Sequence, residues 1–228
     1  MFSMLYMSSA SLPAAEDLTT RARIREAAIR RFAGDGMEAP LRAIAADVGA
    51  SPALILHHFG SRAGLREACD EWVIGQISAN KSEVLGPGGA TAMLTHLAHV
   101  EGYAHLVAYV LRCLQSGGNL AVRLVDQLVV DAQTYLGEAE EAGTVRPSRD
   151  PEARARVLTE MALGALLLQL PGRDEHLDVS GLPAWLQAYS NRIILPVLEI
   201  YTEPLLTDSS LLDAYLSTLH QPNRSSHA

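Results

Sequence analysis

The stretch 49-GASPALILHHFGSRAGL-65 decides how the first third of this chain is read. A glycine closes one helix, Ser-Pro opens a second, and a Gly-Ser pair opens a third. Gly49 suits the left-handed position that follows a helix C-terminus, where a side chain would be strained. Ser51 offers its hydroxyl to the free amides of the next turn, and Pro52 at the first helical position gives up an N–H that has no partner there. The spacing therefore predicts a helix over 52-PALILHHF-59, only two turns long. Ile55 and Phe59, four residues apart, share one face and anchor it. Leu54, Leu56, His57 and Ala53 then look outward, and apolar groups on the open face of so short a helix call for a partner.

Upstream, 19-TTRARIREAAIRRFAGDG-36 places Ile24, Ala27, Ala28 and Phe32 on one helical face, with Gly34 and Gly36 as the stop. A short helix follows Pro40, its inward stripe Leu41, Ile44, Ala45 and Val48. Downstream, Ser61 caps a helix from about Arg62 to Leu85, broken by 86-GPGG-89. Further helices are predicted over 91–100, 103–115 and 119–141, then from Pro151 to Leu170, from Pro183 to Glu203 with a kink at Pro196, and over 209–220. Since no strand alternation runs longer than a few residues, the fold class is all-α. The expected organisation is a tail (1–17), a three-helix N-terminal domain (18–62), a larger helical domain (63–221) and a second tail (222–228).

Composition agrees. The chain has 228 residues, 48% hydrophobic but only 5% aromatic, an Ala- and Leu-rich mixture that favours helices. No apolar run reaches the ~20 residues of a membrane span, and the N-terminus lacks the basic start of a secretory signal. Cys69 and Cys113 are too few for a disulfide framework and read as buried thiols in a reducing cytoplasm. The net charge of −8 argues against nucleic acid until its distribution is considered. Between Arg21 and Arg66, eight arginines face four acids, giving +4, whereas the remainder carries ten basic and 22 acidic residues, giving −12. A basic module on an acidic body points to DNA. Arg21, Arg23 and Arg25 crowd the expected start of the first helix, where cations oppose the helix dipole and a phosphate would relieve the conflict.

Two short helices joined through Gly49 form a helix-turn-helix, whose second helix enters the major groove. The run from Thr19 to Leu65 resembles the DNA-binding domain of the tetracycline-repressor (TetR) family of bacterial regulators. The resemblance rests on the T-x-R-x-x-I-x-x-A-A-x-x-x-F opening, the L-R-x-I-A-x-x-V-G-x-S core, the H-H-F that ends the recognition helix, and the basic residue three positions after that Phe. It implies phosphate contacts at Thr20, Arg42 and Arg62, and positions near base edges for Ser51, Pro52, Ala53, Leu54 and His57. The family usually has Tyr where this chain has Leu56, which cannot hydrogen-bond, so one backbone clamp is missing. Without Arg, Asn or Gln on the recognition helix, readout is expected through thymine methyl groups opposite Ala53 or Leu54.

The resemblance also implies a dimer through the segments from Pro151 to Leu170 and from Pro183 to Glu203, and a small-molecule site among the central helices. The near-continuous apolar surface of Met161, Leu163, Leu166, Leu167, Leu168 and Leu170 fits a helix buried on more than one side. Candidate lining residues are Met93, His96, Leu97, Tyr103, Val107, Tyr109, Val110, Cys113, Leu114, Val125, Leu128, Val129 and Met161, suited to a small hydrophobic ligand. His96, His99 and His105 lack the companions of a metal site, and no cofactor is expected. No nucleophile–base set or Gly-rich phosphate loop is found, so no enzymatic activity is expected. The reading is a cytoplasmic, ligand-responsive regulator, most simply a repressor that binds a palindrome in double-stranded DNA as a homodimer. The alternative is a helical small-molecule-binding protein or enzyme with a vestigial helix-turn-helix.

Overall fold

The structure, a computed structural model, describes residues 15–169, 180–203 and 205–219. Among these it contains ten α-helices and no strand: α1 (Ala15–Asp35), α2 (Leu41–Asp47), α3 (Pro52–Phe59), α4 (Arg62–Leu85), α5 (Gly89–Ala98), α6 (Ala104–Ser116), α7 (Gly118–Glu141), α8 (Pro151–Gln169), α9 (Leu182–Thr202) and α10 (Ser210–Leu219). A 3-10 turn, Val100–Tyr103, leads into α6. Leu170 and the 171–179 loop lie outside the described residues, as do most of the N-terminal tail and everything after Leu219.

Local rules set the helix ends around the two-turn α3. Gly49 adopts φ +66°, the left-handed conformation a side chain would oppose. The Ser51 hydroxyl accepts from the Leu54 amide at 3.1 Å, and the Ser61 hydroxyl accepts from the Gly64 amide at 3.0 Å. A Cβ at Gly64 would collide with the Phe59 carbonyl oxygen, so the sharp entry from α3 into α4 needs glycine there.

Contacts divide the chain into two compact units, one ending at Gln187 and the other beginning at Ala188, within α9. In the first unit α1 packs on α2, α3, α4 and α6, and α7 packs on α4, α6 and α8. Ile24, Ala28, Ile29 and Phe32 of α1, Leu65, Cys69 and Val73 of α4, and Tyr109 and Leu111 of α6 are buried. A further apolar cluster joins Val129, Ala132 and Leu136 of α7 to Ala155 of α8, with Leu85 and Val125 packed against it. The expected boundary at 62/63 falls at the first turn of α4, which packs on α1 and α3 as well as on α5 and α7. One long helix therefore serves both the helix-turn-helix and the body.

One expectation about α1 changes, and α9 takes close to its expected span. α1 begins at Ala15, before the expected start, so Arg21, Arg23 and Arg25 stand in its second and third turns. The free amides of the helix end precede them, and the argument for a phosphate at that end no longer applies to these arginines. α9 runs from Leu182 to Thr202 with Pro196 inside it.

Candidate functional site

The helix-turn-helix is assembled around two side chains of α3. Ile55 is 0% and Phe59 9% exposed, and their burial fixes which face of α3 turns outward. Ser51, Pro52, Ala53 and His57 are exposed on that face, and Leu56 is 43% exposed. Leu54 is half-buried, as is His58, four residues on. The two flank the anchored stripe on one side, so Leu54 offers an edge rather than the whole side chain expected of it. Thr20 is half-buried on α1 and Arg42 is exposed on α2.

The arginines of the basic module are mostly committed within the fold. Arg21 stacks over the Phe59 ring at 5.0 Å and Arg25 over the Trp72 ring at 5.1 Å. Arg23 donates to the Val48 carbonyl at 3.2 Å, tying α1 to the end of α2. Arg30 pairs with Glu26, and Arg31 bridges Asp35 at 2.9 Å and Asp47 at 2.6 Å. The Arg31 hydrogen bonds hold the Asp47 carboxyl below its ordinary range. Arg62, expected on a phosphate, donates to the Met37 carbonyl at 2.8 Å and lies over the Phe32 ring at 5.8 Å. It braces the α1–α2 connection, because a guanidinium on the first turn of α4 meets that loop at close range. Arg42 is the exposed cation here with no side-chain partner among the described residues.

The thirteen residues expected around a ligand fall into separate places. His96 and Tyr103 come together: His96 Nδ1 lies 2.7 Å from the Tyr103 hydroxyl, and its Nε2 lies 3.0 Å from Glu83 Oε2. This links α4, α5 and the 3-10 turn. Met93, Leu97, Val107 and Leu114 are half-buried, whereas Val110 and Leu128 are buried. Val125 and Val129 belong to the α7–α8 cluster. Met161 is 57% exposed on α8.

Tyr109 and Cys113 form part of the junction between α6 and the DNA-binding helices. The Tyr109 hydroxyl donates to Asp70 at 2.6 Å, and its ring sits 6.4 Å from that of Phe32. Arg66 reaches Asp70 at 3.4 Å and Cys113 Sγ at 3.2 Å, and Arg112 donates to the Ala33 carbonyl at 3.1 Å. Burial pushes the Cys113 thiol up to about 11, against the pull of Arg66, and Cys69 up to about 12. Both are inert, protonated core groups at neutral pH. Sequence reasoning missed Arg66, Asp70 and Arg112. An (i, i+4) Arg–Asp pair on the inward side of α4 and a lone cation in the apolar run of α6 were the available signals.

Apolar side chains stand exposed on the later helices: Val157, Met161, Leu167 and Leu168 on α8, and Leu195, Ile200 and Tyr201 on α9. Among the described residues no group of three or more His, Cys, Asp or Glu could hold a metal ion, and no helix is long and apolar enough to cross a membrane.

A buttressed two-turn helix with an open face, set on a larger helical body, defines a helix-turn-helix DNA-binding protein. Residues 24–69 match the family pattern of "Bacterial regulatory proteins, tetR family", and residues 101–207 match "Tetracyclin repressor-like, C-terminal domain". The chain is 46% identical over 205 residues to the HTH-type transcriptional regulatory protein RaaS of Mycobacterium tuberculosis, covering 90% of this chain and 95% of that one. Its fold is also that of a TetR-family transcriptional regulator from a Rhodococcus species (TM-score 0.52, 22% identity, 76% of this chain and 97% of that one). A second such regulator, from Pectobacterium atrosepticum, aligns with TM-score 0.51 at 18% identity, over 86% of this chain and 99% of that one. The chain belongs to the TetR family of transcriptional regulators, and its function is DNA-binding regulation rather than catalysis.

Proposed function

We propose that this regulator is a cytoplasmic homodimeric repressor that binds a palindromic operator through α2 and α3 and is released by a small hydrophobic molecule held in the body. The observation that carries the reading is the open face of α3. Ala53, Leu56 and His57 project from a helix whose other side is locked by Ile55 and Phe59. In a major groove these groups meet thymine methyls and base edges, while Arg42 on α2 supplies phosphate contact. The exposed apolar groups of α8 and α9 support burial against a second copy, since a monomer rarely leaves so many uncovered. A two-fold dimer would present two α3 helices about one DNA turn, ~34 Å, apart.

Release would require the ligand to favour a dimer whose recognition helices are wrongly spaced for DNA. The junction at Arg66, Asp70, Tyr109 and Arg112 supports such coupling, because it ties α6 to α1 and α4 through directional bonds rather than apolar contact alone. The test is selection of binding sites from a random duplex library, followed by titration of the recovered duplex at low and moderate salt. A palindrome whose affinity falls steeply with salt is the expected result. Failure of the purified protein to enrich any sequence would overturn the reading of the unliganded form as the DNA-bound repressor.

A further inference from the structure

The second compact unit, which begins at Ala188, has no core of its own among its described residues. Tyr189 is buried, and from 190 to 219 no described residue is. α10 is the sharpest case. Leu211, Leu212, Tyr215 and Leu219 recur at i, i+1, i+4 and i+8, one face of the helix, and all four are exposed. Asp213, Ala214, Ser217 and Thr218 make the opposite face. Among the described residues no other helix packs extensively on α10.

Local bonds nevertheless specify this helix. The Ser210 amide donates to Asp208 Oδ1 at 2.9 Å, and the Ser209 hydroxyl donates to Asp213 Oδ2 at 2.7 Å, both at its first turn. Ten residues started in this way are still too few, since isolated helices shorter than about 12–15 residues are marginal in water. A surface laid on the apolar face has to hold it. Charge narrows the kind of surface. The described residues of this unit carry one base, Arg192, against four acids, Glu199, Glu203, Asp208 and Asp213. A helix that lies on an anionic membrane needs Lys or Arg along its polar face, and α10 has neither. Nucleic acid is excluded by the same sign. What remains is an apolar protein surface. TetR-family regulators dimerise, and the family's C-terminal pattern, 101–207, stops just short of α10. α10 follows directly on α9, whose Leu195, Ile200 and Tyr201 are exposed as well. Across a two-fold axis one patch is used by both copies, so an uncharged apolar face meets its own kind.

We infer that α10 is an arm that clasps a second copy of this chain, so that the C-terminal units of two copies bury their apolar faces in one shared core. This rests on the reading of the protein as a homodimer. It extends the interface past α8 and α9 to a helix outside the family's own pattern, one that each copy can fold only against the other.

Hydrogen exchange on the unsubstituted, full-length protein reads this coverage directly. Above the dimer dissociation constant the α10 amides should be protected. On dilution below it they should exchange about as fast as an unfolded chain, while the amides of α6 stay protected. Sedimentation equilibrium supplies a second measurement. Leu211→Glu and Tyr215→Glu, made together on the apolar face, should raise the dimer dissociation constant at least about tenfold. Ser217→Glu on the polar face should leave it unchanged. Rapid α10 exchange in a protein that is still dimeric would overturn the arm, leave the homodimer intact and assign the face to a different partner. Protection that survives dilution to the monomer would also overturn it, since the chain would then cover α10 itself. A protein that is monomeric at every concentration would overturn the arm and the homodimer together.

Discussion

α3 and α8 both turn apolar side chains to solvent, but on different scales. α3 exposes Leu56 beside His57 and Ala53 on a helix of eight residues, the rest of whose apolar surface is spent on anchoring. α8 exposes Val157, Met161, Leu167 and Leu168, the last at 71%. One large aliphatic group beside a small and a polar one fits a groove lined by base edges, whereas several large aliphatic groups fit another protein surface. An exposed apolar residue is therefore read by what stands next to it, and by how firmly the opposite face of its helix is held.

Releasing α3 from its anchors should have the largest effect. Phe59→Ala removes the ring that Arg21 covers and should destabilise the protein by about 3–5 kcal/mol in urea unfolding. Leu56→Ala on the open face should change stability by no more than about 0.5 kcal/mol while weakening DNA binding. If the two substitutions had equal effects on stability, the division of α3 into anchoring and open faces would be wrong.

Leu168→Glu places a charge in the surface assigned to the second copy. In sedimentation equilibrium the dimer dissociation constant should rise about a hundredfold, with helix content unchanged. A variant that stays dimeric would remove α8 from the interface. Ser51→Ala should cost about 1 kcal/mol, the usual worth of an N-cap, and it tests how far α3 depends on local bonds rather than on its two anchors. Smaller still, Arg42→Ala should reduce affinity about equally on all duplexes and lower the salt slope by about one. An unchanged slope would show that Arg42 touches no phosphate.

The helix-turn-helix was legible because its determinants are local. Gly49, Ser51, Pro52 and Ser61 each act within a turn of their own position, and the bounds of α3 and α4 follow from them. What was not legible depends on neighbours distant in sequence. Periodicity places Tyr109 and Cys113 on the inward face of α6, but not against Phe32, Arg66 and Asp70. The same limit applies to Arg62, whose partner Met37 lies 25 residues away. The arginines at 21, 23 and 25 were misplaced for a simpler reason: α1 starts earlier than its first apolar repeat.

In the proposed function the open face of α3 reads DNA through methyl contact. Uracil in place of thymine removes that methyl and leaves the pairing intact. Affinity should therefore be measured on the selected duplex with thymine and with uracil at each half-site position, at fixed salt, for the unsubstituted protein, Leu54→Ala and Leu56→Ala. A several-fold loss is expected with uracil at one or two positions, and one of the leucine substitutions should abolish it. Equal affinity for the thymine and uracil duplexes at every position would contradict it.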